Sequence, residues 1–261
     1  MTLVRHELKQ ARTSCLIWTG AIGFLLAVCV FLFPEMKGQM DEVSSMFASM
    51  GSFTAAFGMD RLNFGTISGY YAIECGNILG LGGAFFAALC AVNVLCKEEK
   101  ERTAEFLLTH PVSRGRVVTE KLLSVLIQIV ALNLVIYGLA ICSMLAIGET
   151  LPWKEITLLH LAYFLLQLEI AGICFGISAF LRRGGAGLGL GVAAMLYFLN
   201  LIANITESAK FLKYVTPFGY CDAADIMTGG RLDGPKLLVG LVLCAVGIAA
   251  AYIHYTKKDI H

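Results

Sequence analysis

Six long runs of apolar residues constrain this chain more than any other feature of its sequence. The runs cover residues 16–33, 74–96, 122–147, 156–181, 186–205 and 236–255. A helix rises about 1.5 Å per residue and a bilayer core is about 30 Å thick, so runs of this length cross a membrane as helices. Only 15% of the 261 residues are charged, against about 25% in a soluble domain. The sequence therefore predicts a single all-α domain over 1–261, a polytopic membrane protein with six transmembrane helices in the lipid bilayer.

The polar intervals between the runs carry weaker helical patterns. Residues 1–15 mix three basic residues with apolar ones, which predicts an interfacial helix lying along the membrane surface. The interval 34–73 is expected to hold one or two surface helices. The interval 206–235 is expected to hold two short helices that are broken at Pro217, that end at Gly229 and Gly230, and that dip back toward the membrane before the last span.

The distribution of basic residues predicts the orientation of the chain. Thirteen of the twenty lysines and arginines flank the runs on the side that holds both termini and the interval 97–121. Short basic segments stay on the inner side of a membrane. We therefore expect a multi-pass protein of the cytoplasmic membrane, with both termini and 97–121 cytoplasmic, and with 34–73 and 206–235 extracellular.

Several classes of function are excluded by what the sequence lacks. The net charge is only +1, which gives no sign of a nucleic-acid partner. No GxxxxGK[ST] phosphate loop, GxSxG or HExxH motif occurs, and no His/Cys group has zinc spacing, so we predict no catalytic residue, cofactor or metal on this chain. The nine cysteines are interpreted as small apolar residues of a membrane protein. A disulfide between Cys75 and Cys221 is left open.

A few polar side chains interrupt the apolar runs and are the candidate contacts of a substrate cavity. They are Asn77, Asn93, Gln167, Glu169, Asn200 and Asn204. The alternative for each is a hydrogen bond between helices. Glu169 is the sharpest case, because a bare charge at the bilayer centre costs about 2.5–3.5 kcal/mol on insertion scales.

Pairs of glycines four residues apart recur in three of the runs. They are Gly76 and Gly80, Gly172 and Gly176, and Gly187 and Gly191. Such pairs allow close approach of two helices, within one chain or between two chains.

The charged interval 97–121 has the pattern of a docking element. It predicts a short helix from Glu98 to His110 that Pro111 ends. Phe106, Leu107 and Leu108 give this helix an apolar patch among charges. A solvated loop has no need of such a patch, so the pattern favours a docking surface.

This interval resembles the coupling region of permease subunits of ATP-binding-cassette exporters, in the six-span class with a separately encoded ATPase. The shared pattern is an acidic cluster at 98–101, two leucines, Pro111-Val112-Ser113-Arg114 and Lys121. Arg102 departs from it, because glycine is usual there. The basic amino-terminal helix, the break at Thr216-Pro217-Phe218 and the terminal Lys257-Lys258-Asp259 are also similar to that class. The resemblance covers nearly the whole chain. The class includes permeases for antibiotic and lantibiotic self-protection and the permease for copper-site assembly of nitrous oxide reductase.

The resemblance implies a transport subunit without its own ATPase site. Partners would be ABC ATPase subunits, which bind ATP and Mg, and a second permease in a homodimer or a related heterodimer. The implied ATPase-coupling residues are Glu98, Glu99, Thr103, Glu105, Phe106, Leu107, Leu108, Pro111 and Arg114. The second and fifth spans would line the cavity, and its amide and aromatic residues favour an amphipathic, peptide or lipid-like substrate, with antimicrobials among the candidates. The alternative is a membrane-embedded enzyme or sensor centred on Glu169.

Overall fold

The computed structural model describes residues 2–39, 46, 51–101, 113–182 and 184–258, and these ranges contain helices and no strand. The α-helices, in chain order, are α1 Thr2–Lys37, α2 Ser52–Ala56, α3 Ile67–Val92, α4 Lys97–Glu101, α5 Arg114–Ala146, α6 Trp153–Phe180, α7 Ala186–Ile205, α8 Ala223–Gly229 and α9 Gly234–Lys257. Two 3-10 helices, Glu207–Tyr214 and Pro217–Tyr220, precede α8. Six helices, α1, α3, α5, α6, α7 and α9, are long and apolar enough to cross a membrane. The predicted all-α class and the six spans are confirmed.

The first helix differs from the sequence prediction, because the expected interfacial helix 1–15 and the first span form one unbroken helix, α1. The buried residues Val4, Ile22, Leu26, Val30 and Phe33 lie along it, and the helix packs against α5. The basic residues of its first turns are exposed. One face of α1 is therefore buried from end to end, and no break is needed where the composition changes.

Two other spans begin earlier than their apolar runs. Helix α3 begins at Ile67 rather than at 74, because the Thr66 hydroxyl accepts a hydrogen bond from Gly69 N at 3.2 Å and caps it. Helix α5 begins at Arg114 rather than at 122, where Ser113 caps it in the same way. Hydropathy detects where a helix becomes apolar, whereas the capping residue decides where it begins.

Helix α6 is the centre of the bundle. In its apolar window 67% of the residues are buried, against 11% in that of α9. Helices α3 and α9 both pack on α6, while α7 packs on α3. The segment from Thr216 to Ala224 is buried and also lies against α6, and α8 ends at Gly230, whose φ of +57° suits glycine.

Glycine allows α6 and α9 to approach closely. A Cβ on Gly247 would lie 2.5 Å from Gly172 O, and one on Gly176 would lie 2.7 Å from Gly247 O. Gly76 and Gly80 meet the Tyr163 ring of α6 in the same way. These two predicted pairs therefore pack within the chain, while Gly187 and Gly191 on α7 meet no atom of the described ranges within 4 Å.

A methyl group at Gly247 should weaken the α6–α9 contact. We expect Gly247→Ala to destabilise the purified protein by about 1–3 kcal/mol, because the new Cβ meets backbone that cannot move aside. The measurement is thermal unfolding in detergent. Gly187→Ala is the matched control and should not lower stability, since a Cβ there enters open space.

Candidate functional site

The base of the bundle is held by four charged side chains, Glu7, Lys97, Glu98 and Lys121, which we call the base cluster. Glu7 and Lys121 are buried, whereas Lys97 and Glu98 are partly exposed. Lys121 on α5 is fully buried, and its Nζ lies 2.9 Å from Glu7 Oε1 and 2.5 Å from Glu98 Oε1. It also donates to Val94 O at 2.7 Å. Lys97 pairs with the second oxygen of Glu7 at 3.2 Å. Two cations thus balance two carboxylates, and the cluster joins α1, α4, α5 and the turn after α3.

A second set of polar contacts ties α4 to the end of the chain. The Nζ of Lys258 pairs with Glu99 Oε1 at 2.7 Å. It also donates to Ala179 O and Leu181 O, at 3.3 and 3.2 Å. These are carbonyls at the end of α6, which have no partner inside their own helix. Arg114 at the start of α5 donates to the Lys258 carbonyl, so α4, α5, α6 and α9 meet here.

The structure brings together only part of the predicted ATPase-coupling set. Glu98 and Glu99 lie on α4, and Arg114 donates to the backbone carbonyl of Lys258, whose side chain pairs with Glu99. The others, Thr103, Glu105, Phe106, Leu107, Leu108 and Pro111, lie outside the described residues. Glu7 was missed, and the only signal for it was one acidic residue among the basic ones of the amino-terminal helix.

Three predicted cavity residues from two helices line one small cavity at the other end of the bundle. This asparagine cavity has a volume of about 60 Å³ and is lined by Asn77 of α3 and by Asn200 and Asn204 of α7. Tyr163, Tyr197 and Asp222, which sequence reasoning missed, complete its polar lining. Its volume is enough for a few water molecules.

The cavity contains hydrogen-bond acceptors without partners. Asn204 Nδ2 donates to Ala56 O at 2.9 Å, which fixes the orientation of the amide and leaves Oδ1 free. Asn200 Oδ1 is also buried with no partner in the described part of the chain. Buried polar atoms are nearly always hydrogen-bonded, so these oxygens suit water or a donor group of a ligand.

Asp222 in the wall of the asparagine cavity belongs to a group of ion pairs, which we call the latch. Arg61 contacts Asp222 at 2.7 Å and Asp225 at 2.5 Å, and Lys213 lies 3.6 Å from Asp222. Burial alone would lower the pKa of Arg61, but the two carboxylates outweigh it and raise the pKa. The latch joins two segments that are far apart in sequence, so no local pattern could reveal it.

The other three cavity candidates lie elsewhere. Asn93 Oδ1 accepts from Gly185 N at 2.7 Å, just before α7 begins. Gln167 Oε1 accepts from Asn133 Nδ2 at 2.6 Å. Asn93 and Gln167 thus each make a hydrogen bond between elements of the bundle, as the alternative for these residues expects. Glu169 is fully buried against Gly240 of α9, away from the asparagine cavity.

The disulfide left open by the sequence is not formed, since Cys75 and Cys221 are both free thiols. Cys221 instead donates to Ala162 O at 3.3 Å. This contact holds the segment before α8 against α6.

A bundle of six apolar helices with α6 at its centre defines a multi-pass membrane protein. Over residues 1–260 the chain matches the family model described as ABC-2 family transporter protein, and it belongs to that family. It is therefore the membrane permease part of an ATP-binding-cassette transporter, a domain that lacks the ATPase site. Permeases of this family work with ATPase subunits. No curated protein matches the chain.

Removing the buried ammonium group should strongly destabilise the protein. We expect Lys121→Met to cost about 3–5 kcal/mol, because Glu7, which is buried, and Glu98 would be left as charges without their common partner. Thermal unfolding in detergent measures the loss, and adding Glu7→Gln should restore part of it. Lys210→Met, which breaks the exposed pair with Glu207, should leave the unfolding temperature unchanged.

Proposed function

We propose that this permease is the transmembrane subunit of an exporter that moves an amphipathic, peptide or lipid-like substrate across the cytoplasmic membrane. Hydrolysis of ATP, with Mg, on separate ATPase subunits would drive it, and a second permease, identical or related, would complete the pathway. The orientation follows the excess of basic residues, with both termini and 97–121 cytoplasmic. Antimicrobials are among the candidate substrates.

The observation that carries the proposal is the attachment of α4, which opens the proposed coupling interval, to the helices around it. Glu98 on α4 reaches α5 through Lys121, and Lys121 reaches α1 through Glu7. Glu99 reaches the ends of α6 and α9 through Lys258. A movement that an ATPase imposed on this interval would therefore act on four spans at once.

The base cluster would transmit this movement without bending. Separating a buried ion pair leaves an uncompensated charge in a low-dielectric environment, which is costly. The helices joined by Lys121 are thus expected to move as a rigid body. The docking contact itself is assigned to Phe106, Leu107 and Leu108, because apolar anchors flanked by charges give a strong and oriented interface.

The asparagine cavity is the proposed substrate contact. Asn77, Asn200 and Asn204 offer amide groups, and Tyr163 and Tyr197 offer aromatic rings. This lining suits a molecule with both polar and apolar parts. At about 60 Å³ the cavity is closed to such a molecule, so transport would require the latch at Arg61 to open.

The contact with the ATPase can be tested by charge substitution in the proposed anchor. Phe106→Asp should abolish co-purification of an ABC ATPase, identified by mass spectrometry, while the permease stays in the membrane. The matched control is Phe211→Asp, an exposed phenylalanine in the 206–235 interval, which should retain the ATPase. Undiminished co-purification with Phe106→Asp would contradict the coupling assignment.

The substrate class can be tested with cells that express the whole transporter and are exposed to a panel of amphipathic antimicrobial peptides. Cells that carry Asn200→Leu should tolerate only lower peptide concentrations than wild-type cells, because the substitution removes a cavity amide. Co-purification of the ATPase should be unchanged, because the substitution does not alter the base cluster. Met195→Leu, on the exposed side of the same helix, should protect as well as wild type. Equal protection by Asn200→Leu would remove the asparagine cavity from the transport pathway.

A further inference from the structure

Glu169 is a buried carboxyl group that the proposed transport mechanism does not use. Its side chain is fully buried on α6, and both of its oxygens are enclosed without a hydrogen-bond partner in the described ranges. It fits against α9 only because residue 240 is glycine, since a Cβ there would lie 2.0 Å from Glu169 Oε2. The packing of α6 and α9 thus encloses a carboxyl group for which the described ranges provide no hydrogen-bond partner.

Within the described ranges, the groups that face Glu169 supply no neutralising charge. Helix α9 contributes the thiol of Cys244, and the segment before α8 contributes Tyr220 and Cys221. Lys236, one turn before Gly240 on α9, is already paired with Asp233 at 2.7 Å. A bare carboxylate inside a membrane costs about 2.5–3.5 kcal/mol on insertion scales, so the enclosed group is the neutral acid.

Tyr220 stands between this carboxyl and open water. Its hydroxyl faces Glu169 without making a well-aligned hydrogen bond to it. Burial, with Cys221 and Glu169 as neighbours, raises the pKa of Tyr220, so the phenol keeps its proton and can donate it in a hydrogen bond. Tyr220 also lines an open cavity of about 570 Å³ whose polar lining includes Asp225, Arg231 and Asp233. The Tyr220 side chain is itself buried, so water from this cavity would reach Glu169 once Tyr220 moves.

The same segment forms part of the wall of the asparagine cavity. Phe218, Cys221 and Asp222 line that cavity, while Tyr220 neighbours Glu169. The segment is held on α6 by two hydrogen bonds, from Tyr163 Oη to Cys221 O at 3.2 Å and from Cys221 Sγ to Ala162 O at 3.3 Å. Displacing Tyr220 would therefore also move a wall of the asparagine cavity.

We propose that Glu169 is a proton-binding site that exchanges with water through the cavity at Tyr220, and that its ionisation displaces the segment from Pro217 to Asp222. The step is a simple ionisation, in which the carboxylic acid O–H bond breaks, the proton passes to water and the carboxylate remains. The carboxylate attracts water and the Tyr220 O–H, because a hydrogen-bonded carboxylate is less costly than a buried carboxylate without a partner. The protein would thereby couple external pH to the closure of the asparagine cavity.

Cys221 provides a built-in reporter of this displacement. The full chain in lipid nanodiscs, where both faces are accessible, is treated with a water-soluble maleimide from about pH 6 to about pH 9. Labelling of Cys221 is read by peptide mass spectrometry in wild type and in Glu169→Gln. Burial and a charged Glu169 both raise the pKa of the Cys221 thiol, so the charge by itself would lower the ratio of the wild-type to the Glu169→Gln labelling rate, and a rise in that ratio reports displacement of the segment.

We expect the ratio of the wild-type to the Glu169→Gln labelling rate to be close to one at low pH and to rise with pH. Glu74→Gln, which neutralises a half-buried carboxyl on α3, should keep the wild-type ratio. Tyr220→Phe is a second variant, which keeps the ring and should shift the rise to higher pH because it removes the donor for the carboxylate. A ratio that stays at one across the pH range, or a rise that Glu74→Gln also removes, would overturn the proposal. No ATPase takes part in the assay, so its failure would leave the exporter assignment untouched.

Discussion

The fully buried ammonium group of Lys121 is the interaction on which the base of this protein depends. A charge enclosed in this way is tolerated only when carboxylates and a backbone carbonyl surround it, and Glu7, Glu98 and Val94 meet that requirement. Because these groups come from different elements, satisfying one cation fixes the relative positions of α1, α4 and α5. Helix α4, on which a partner ATPase is proposed to act, is thus joined to the spans by ion pairs as well as by apolar packing.

The two ends of the bundle differ in how their charges are held. Glu7 and Lys121 of the base cluster are buried, whereas in the latch Asp222 is buried but Arg61 remains 41% exposed and Asp225 remains 49% exposed. Ion pairs in contact with water contribute little to stability and separate easily. In the proposed exporter, this contrast would suit a base that moves as a unit and an opposite end that opens.

Lys121 and Glu169 show two ways in which one chain buries an ionisable group. Lys121 is charged because two carboxylates compensate it, and it therefore has a fixed structural role. Glu169 has no such compensation and is packed against Gly240, so its favourable state is neutral and its charge depends on access to water. A group held in this way is suited to change its state, and the position of Tyr220 between it and an open cavity supplies the route.

The sequence by itself determined the all-α class and the six spans, because long apolar runs and the spacing of polar residues are local properties. It also determined that Gly172 and Gly176 lie on one helix face, but not that Gly247 and Cys244 meet them. Only the tertiary structure decided that Asn77, Asn200 and Asn204 share a cavity while Asn93 and Gln167 satisfy other elements. Only the tertiary structure also decided that Glu7 and Lys121, which are distant in the chain, form an ion pair. The physical reason is that periodicity defines the faces of each helix, whereas the pairing of faces depends on packing and charge compensation across the whole bundle.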